Sequence, residues 1–138
     1  MTILARVRRA RAGIRRRMIV AGWMNVDARR VDVEGDVFYV RFLHGDRVLA
    51  MPVSEVRSVD CLLLPAGMGS DDLNLKVCVN STAGAFAACC IGTVGYEAVK
   101  ARLRDIPGLW FDALCGAEMM IGVGRFSLSI YEAAGAGR

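Results

Sequence analysis

From Asp36 to Ile91 the chain repeatedly alternates apolar and polar side chains, and the spacing then changes to that of one amphipathic helix. Successive side chains of a strand point to opposite faces, so such a segment can bury one side and wet the other. Leu73-Asn-Leu-Lys-Val-Cys-Val-Asn80 is the clearest case, with Leu73, Leu75, Val77 and Val79 on one face and polar or small residues on the other. Several such strands followed by a helix predict an α+β fold, an antiparallel sheet under a helical cover.

The individual elements follow from the same spacing. Val31 and Val33 bracket Asp32 in a short first strand, and Glu34-Gly35-Asp36 is turn material. Phe38, Val40 and Phe42 face inward in the second strand, which His44-Gly45-Asp46 reverses into a row of Leu49, Met51 and Val53. Pro52 cannot donate to a ladder, which puts this strand at an edge or ends it there. Runs over 56–64, 73–80 and 85–91 follow, separated by a Gly- and Pro-containing loop over 65–72 and a turn over 81–84. Tyr96, Val99, Leu103 and Ile106 recur at steps of three and four, predicting a helix over 96–106 with Thr93 as its cap and Pro107-Gly108 as its stop. A shorter helical turn over 109–115, with Trp110 or Phe111 and Leu114 inward, precedes strands over 119–123 and 126–131. The expected architecture is a curved antiparallel sheet or partly open barrel capped by one main helix. It occupies residues 25–132 as a single domain, with a basic helical arm over 1–24 and a small-residue tail over 133–138.

Charge is sharply segregated. Up to Arg30 there are nine arginines against one acid, Asp27, so this stretch carries 9 − 1 = +8; with +4 overall, the remainder carries 4 − 8 = −4. Ile3, Val7, Ala10, Ile14, Met18 and Ala21 fall at helical spacing, with arginines filling most of the other face. Arg8, Arg9, Arg11, Arg15, Arg16 and Arg17 are therefore the candidate contacts to an anionic partner. They suit a membrane surface, with the apolar stripe in the headgroup zone. They equally suit nucleic-acid phosphates, where arginine gives affinity without reading sequence. A solvated arm, or a true start at Met18 or Met24, are the bland alternatives.

No nucleophile, metal or nucleotide signature emerges. The five cysteines, 61, 78, 89, 90 and 115, form an odd set without CxxC spacing, which fits reduced thiols in a cytoplasmic protein. A thiol enzyme would use Cys61, Cys78 or Cys115, with the lone His44 as base, yet His44 sits in a Gly-Asp turn. Gly67-Met-Gly-Ser-Asp-Asp72 lacks the lysine and helix start of a phosphate loop, and Gly122-Val-Gly124 lacks the third glycine of a dinucleotide fingerprint. Asp71 and Asp72 lack the spaced ligands of a calcium loop. No apolar run approaches the ~18 residues needed to span a bilayer. Met18–Met24 after three arginines imitates a signal or transit segment without a small-residue cleavage site. Trp110 and Phe111 suit a core position better than an exposed patch, and the last strand, if at an edge, offers its backbone to a second copy.

Three stretches resemble small bacterial members of the pleckstrin-homology superfold. Val48–Asp60 resembles the strand, short step and strand of that group, Asp72–Ile91 its following hairpin, and Gly95-Tyr-Glu97 through Leu103-Arg-Asp-Ile106 its closing helix. The resemblance covers about residues 31–106 and implies a non-enzymatic binding or scaffolding module. Members that bind phosphoinositides carry a Lys/Arg cluster in the first hairpin loop. Here the corresponding turns hold Glu34, Asp36 and Asp46 with Arg47 alone, so headgroup binding at that site does not carry over. The expectation is a cytoplasmic binding module, peripheral to a membrane through its arm, with no cofactor.

Overall fold

Alternation decides which side of each strand meets the core, and a computed structural model shows the outcome for residues 26–64, 74–121 and 126–134. Strands β1 (Ala28–Glu34), β2 (Val37–Phe42) and β3 (Val48–Pro52) form one antiparallel sheet in that order. A single 3-10 turn, Val53–Glu55, leads into β4 (Val56–Leu64), followed by β5 (Asn74–Ser81) and β6 (Gly84–Cys89). Helices α1 (Tyr96–Arg104) and α2 (Phe111–Met119) come next, and β7 (Phe126–Glu132) returns to pair with β4. The second sheet thus has the order β6-β5-β4-β7, again antiparallel throughout.

The two sheets meet along one seam. Val26 C=O accepts from Ala87 N–H at 2.8 Å, and Asp27 C=O accepts from Leu43 N–H at 2.8 Å, so two consecutive residues serve both sheets. No strand pairing among the described residues joins β3 to β4 or β7, and the sheets do not close into a barrel. Their inner faces enclose the core. Phe38, Val40 and Phe42 of β2 oppose Val59, Cys61 and Leu63 of β4, Leu75, Val77 and Val79 of β5, and Phe86 and Ala88 of β6. Phe38 and Phe86 meet edge to face with ring centroids 5.6 Å apart. α1 and α2 add Tyr96, Val99, Leu103, Leu114 and Ala117 to the same cluster.

Several expectations need correction. The first strand is seven residues long and begins at Ala28, three residues before the short strand expected around Val31 and Val33. Thr93 does not cap α1, whose N-cap is Gly95 without a side-chain cap bond. Its hydroxyl instead donates to Ala28 C=O at 2.7 Å and accepts from Cys89 N–H at 2.8 Å, stitching β1 to β6. The helix ends at Arg104 rather than 106. The second helix runs through Met119, so the expected strand over 119–123 does not form at Met119–Ile121, which complete the helix and its turn. Burial of Leu114 and Ala117 three residues apart sets a helical period there, overriding Gly116 and the apolar run after it. β3 ends at Pro52 and lies at a sheet edge, as the missing donor requires. The expected helix over 3–21 and the residues 135–138 of the tail lie outside the described residues.

Candidate functional site

The arginines that sequence reasoning singles out, Arg8, Arg9, Arg11, Arg15, Arg16 and Arg17, lie outside the described residues, as do the loop over 67–72 and the glycines 122 and 124. Of the nine leading arginines, Arg29 and Arg30 belong to β1. Seven arginines and no acid therefore precede residue 26, a charge of +7, against 4 − 7 = −3 for the rest of the chain.

The other candidates are not brought together. His44 is exposed in the β2–β3 turn. All five cysteines are free thiols. Cys61 lies on the inner face at 0% exposure, while the register of β4, β5 and β6 puts Cys78 and Cys89 on the opposite face. Burial pushes the Cys61 thiol far above its usual range, and the charges of Cys78, Asp60 and Glu118 add to the effect. Burial also raises Cys90. Protonated thiols are poor nucleophiles, so these two are not primed for catalysis. No group of three or more His, Cys, Asp or Glu side chains among the described residues is placed to hold a metal ion. Trp110 and Phe111 are half-buried against the core, and Trp110 N–H donates to Ile130 C=O at 2.8 Å. Lys100 and Arg104 stand over the Phe111 ring at 5.9 Å each.

Two polar arrangements escaped the sequence reading. In the first, Glu118 of α2 joins both helices: Tyr96 Oη donates to its Oε2 at 2.8 Å and Lys100 Nζ to its Oε1. Burial raises the Tyr96 phenol well beyond its ordinary value, and the Glu118 hydrogen bond adds to this. Lys100's own hydrogen bond to Glu118 raises its pKa, against the opposing effect of burial.

The second is the outward face of the β6-β5-β4-β7 sheet. Partners across an antiparallel ladder share a face, so Asp60 sits between Cys78 and Ser129, Ser58 between Asn80 and Glu132, and Leu62 between Lys76 and Ser127. Such a face is ordinarily wetted. Here Asp60 is 1% exposed and Ser127 2%, and Ser58, Asn80 and Ser129 are buried as well. At its β6 margin Lys76 Nζ donates to both oxygens of Asp27, at 2.9 and 3.0 Å. Burial would lower the Lys76 pKa, but the Asp27 hydrogen bond and charge, with Cys89 and Cys78, outweigh it and the net shift is upward. The sequence signal for this face was the alternation itself, which identifies the polar side of a strand but not whether that side is covered.

These shifts share one sign. Cys61, Cys90, Tyr96, Lys76 and Lys100 all hold their protons more tightly in the fold than in the unfolded chain. The stability they confer is complete below the unfolded pKa values, ~8.5 for thiols and ~10 for tyrosine and lysine, and is lost as pH rises above them. The urea midpoint is therefore expected to be flat from about pH 7 to 8 and to fall progressively from about pH 8.5 to 10.5. A midpoint that holds or rises over the upper range would contradict these assignments.

Comparison with family models, with curated proteins and with solved structures returns no match for this chain.

Proposed function

We propose that the chain is a non-enzymatic binding or scaffolding module whose arginine-rich leader engages an anionic membrane surface from the cytoplasm. The observation that carries this reading is the charge segregation, +7 before residue 26 against −3 after it. A basic stretch with an apolar stripe at helical spacing favours lipid over nucleic acid, since both faces then find partners in the headgroup zone. The raised Cys61 and Cys90 thiols count against thiol catalysis. Among the described residues no helix is long and apolar enough to cross a membrane. The pleckstrin-homology-like layout belongs to the same reading: six antiparallel strands precede α1, and β7 lies beyond it beside β4. β7 also ends its sheet among the described residues, which would suit strand addition by a second copy.

Sedimentation with vesicles rich in phosphatidylserine tests the proposal. Each arginine near such a surface contributes about 1 kcal/mol, so changing Arg15, Arg16 and Arg17 together to Gln is expected to weaken binding ~100-fold. Unchanged sedimentation would overturn it. Absent vesicle binding with steeply salt-dependent binding to duplex DNA would transfer the arginines to the nucleic-acid reading.

A further inference from the structure

We propose that Cys78 and Cys89, diagonal neighbours on the outward face of the β5–β6 hairpin, form a two-thiolate site for a soft monovalent metal ion, Cu(I). The ladder between β5 and β6 sets their placement. Cys78 stands opposite Ala87, and Lys76 stands opposite Cys89, so both thiols lie on one face. Cys90 N–H donates to Leu75 C=O at 2.8 Å, whereas Ala87 N–H and Cys89 N–H turn away from β5. They donate to Val26 C=O and Thr93 Oγ1, both at 2.8 Å. The outward pairs are therefore of the non-hydrogen-bonded kind, whose side chains lie closer together. Right-handed twist shortens one of the two diagonals between successive pairs of this kind. It is the one from the residue nearer the turn on the first strand to the residue farther from it on the second. In this hairpin, which reverses between Ser81 and Gly84, that diagonal joins Cys78 to Cys89.

Span and charge select the ion. Diagonal neighbours are about 7–8 Å apart at Cα, at the limit of what a direct sulfur–sulfur bond tolerates. Two metal–thiolate bonds of about 2.3 Å put the sulfurs ~4.6 Å apart and suit that span better. A tetrahedral divalent ion needs four ligands, and among the described residues no group of three His, Cys, Asp or Glu side chains is placed to hold a metal. Cu(I), which thiolates favour, is satisfied by two. Binding releases one proton from each thiol to solvent and forms two S–Cu bonds, with copper staying in the same oxidation state. The product carries one net negative charge, and Lys76 supplies the cation beside it. Asp27 holds Lys76 Nζ at 2.9 and 3.0 Å, opposite Cys89 and two residues along the strand from Cys78. Both thiols act electrostatically on Lys76, so the three groups lie within range of one another. Asp60 flanks Cys78 on its other side, and the Lys76 charge keeps the site from being purely anionic. Cys89 and Cys90 do not make such a pair. Successive residues face opposite sides, and the Cys90 thiol meets the Tyr96 hydroxyl.

The site stands apart from the membrane reading, since it involves neither the leader nor lipid. The full chain, reduced and kept free of oxygen, is titrated with Cu(I) against a chromophoric chelator that competes for it. One equivalent is expected to leave the chelator, with a new near-ultraviolet thiolate-to-copper absorption. Cys78→Ser and Cys89→Ser should each weaken binding by more than the ~10–100-fold typical of an outer-shell change, and Lys76→Gln by an amount within that range. Cys61→Ser, Cys90→Ser and Cys115→Ser combined in one chain should leave binding unchanged. No transfer of Cu(I) to the natural chain would overturn the proposal. So would full-strength binding in Cys78→Ser or Cys89→Ser folded by circular dichroism, or its loss in the folded combined variant. Should the serine variants not fold, the natural chain is alkylated with N-ethylmaleimide, with and without one equivalent of Cu(I), and the modified residues are read by mass spectrometry. Alkylation several-fold slower at Cys78 and Cys89 alone is expected. Protection of Cys90 or Cys115 instead, or of no cysteine, would overturn the site.

Discussion

Gly95→Ala is expected to destabilise the fold by more than about 3 kcal/mol, combining left-handed backbone strain with an atomic overlap. Gly95 has φ +94, and an added Cβ would lie 2.0 Å from the Val31 carbonyl oxygen. The closeness has a structural origin. Val94 N–H donates to Arg29 C=O and Val31 N–H to Val94 C=O, both at 2.9 Å, so the residue before Gly95 is bonded into the backbone of β1. Neither side can retreat without breaking those bonds or dislodging α1. Gly92 is the internal control: its φ is +120, but a Cβ there meets nothing within 4 Å. Gly92→Ala should therefore cost about 1 kcal/mol, the backbone term alone. Urea unfolding of both variants checks the pair. Equal losses would show that the approach to Val31 is not a constraint.

Phe38→Ala is the second large effect, with an expected loss of about 3–5 kcal/mol. Phe38 and Phe86 are both 0% exposed, and they belong to different sheets. Their edge-to-face contact therefore spans the sandwich, and truncating either ring leaves a cavity between two backbones that cannot collapse together. A domain of this size has about 5–15 kcal/mol in all, so one such change removes a large share of it. The double variant with Phe86→Ala should show a coupling of about 0.5–1.5 kcal/mol beyond the area each ring buries. Strict additivity in urea melts would mean that the rings do not pack on each other.

The sheets were legible because parity is local. A strand's inward row can be read from eight residues, and Leu75, Val77 and Val79 lie inward as the alternation requires. α1 was legible for the same reason, since Tyr96, Val99 and Leu103 recur at the helical period and are buried. What escaped depends on distant partners. Thr93 has the composition of a cap, but its hydroxyl is taken up by Ala28, 65 residues away. The end of α2 carries Gly116 and a Met-Met-Ile run that locally fits a stop and a strand, whereas the burial of Ala117 is decided by what packs on it. β7 contains a register irregularity opposite Val59 and Asp60, after which Tyr131 faces the same side as Val59. Simple alternation cannot foresee that shift. The candidate surface was the least legible of all. Asp60 and Ser58 read as the wet side of an ordinary strand, and only the assembled sheet shows them withdrawn from water.

The core and the polar face both rest on the placement of β7 beside β4, because that pairing puts Ser129 next to Asp60 and Leu128 next to Cys61. Cross-strand nuclear Overhauser effects in the labelled full chain measure it directly. The expected result is a set of backbone contacts between Asp60 and Ser129 and between Cys61 and Leu128. Contacts from 126–132 to β3 or β6 instead would contradict the architecture and remove the polar face with it.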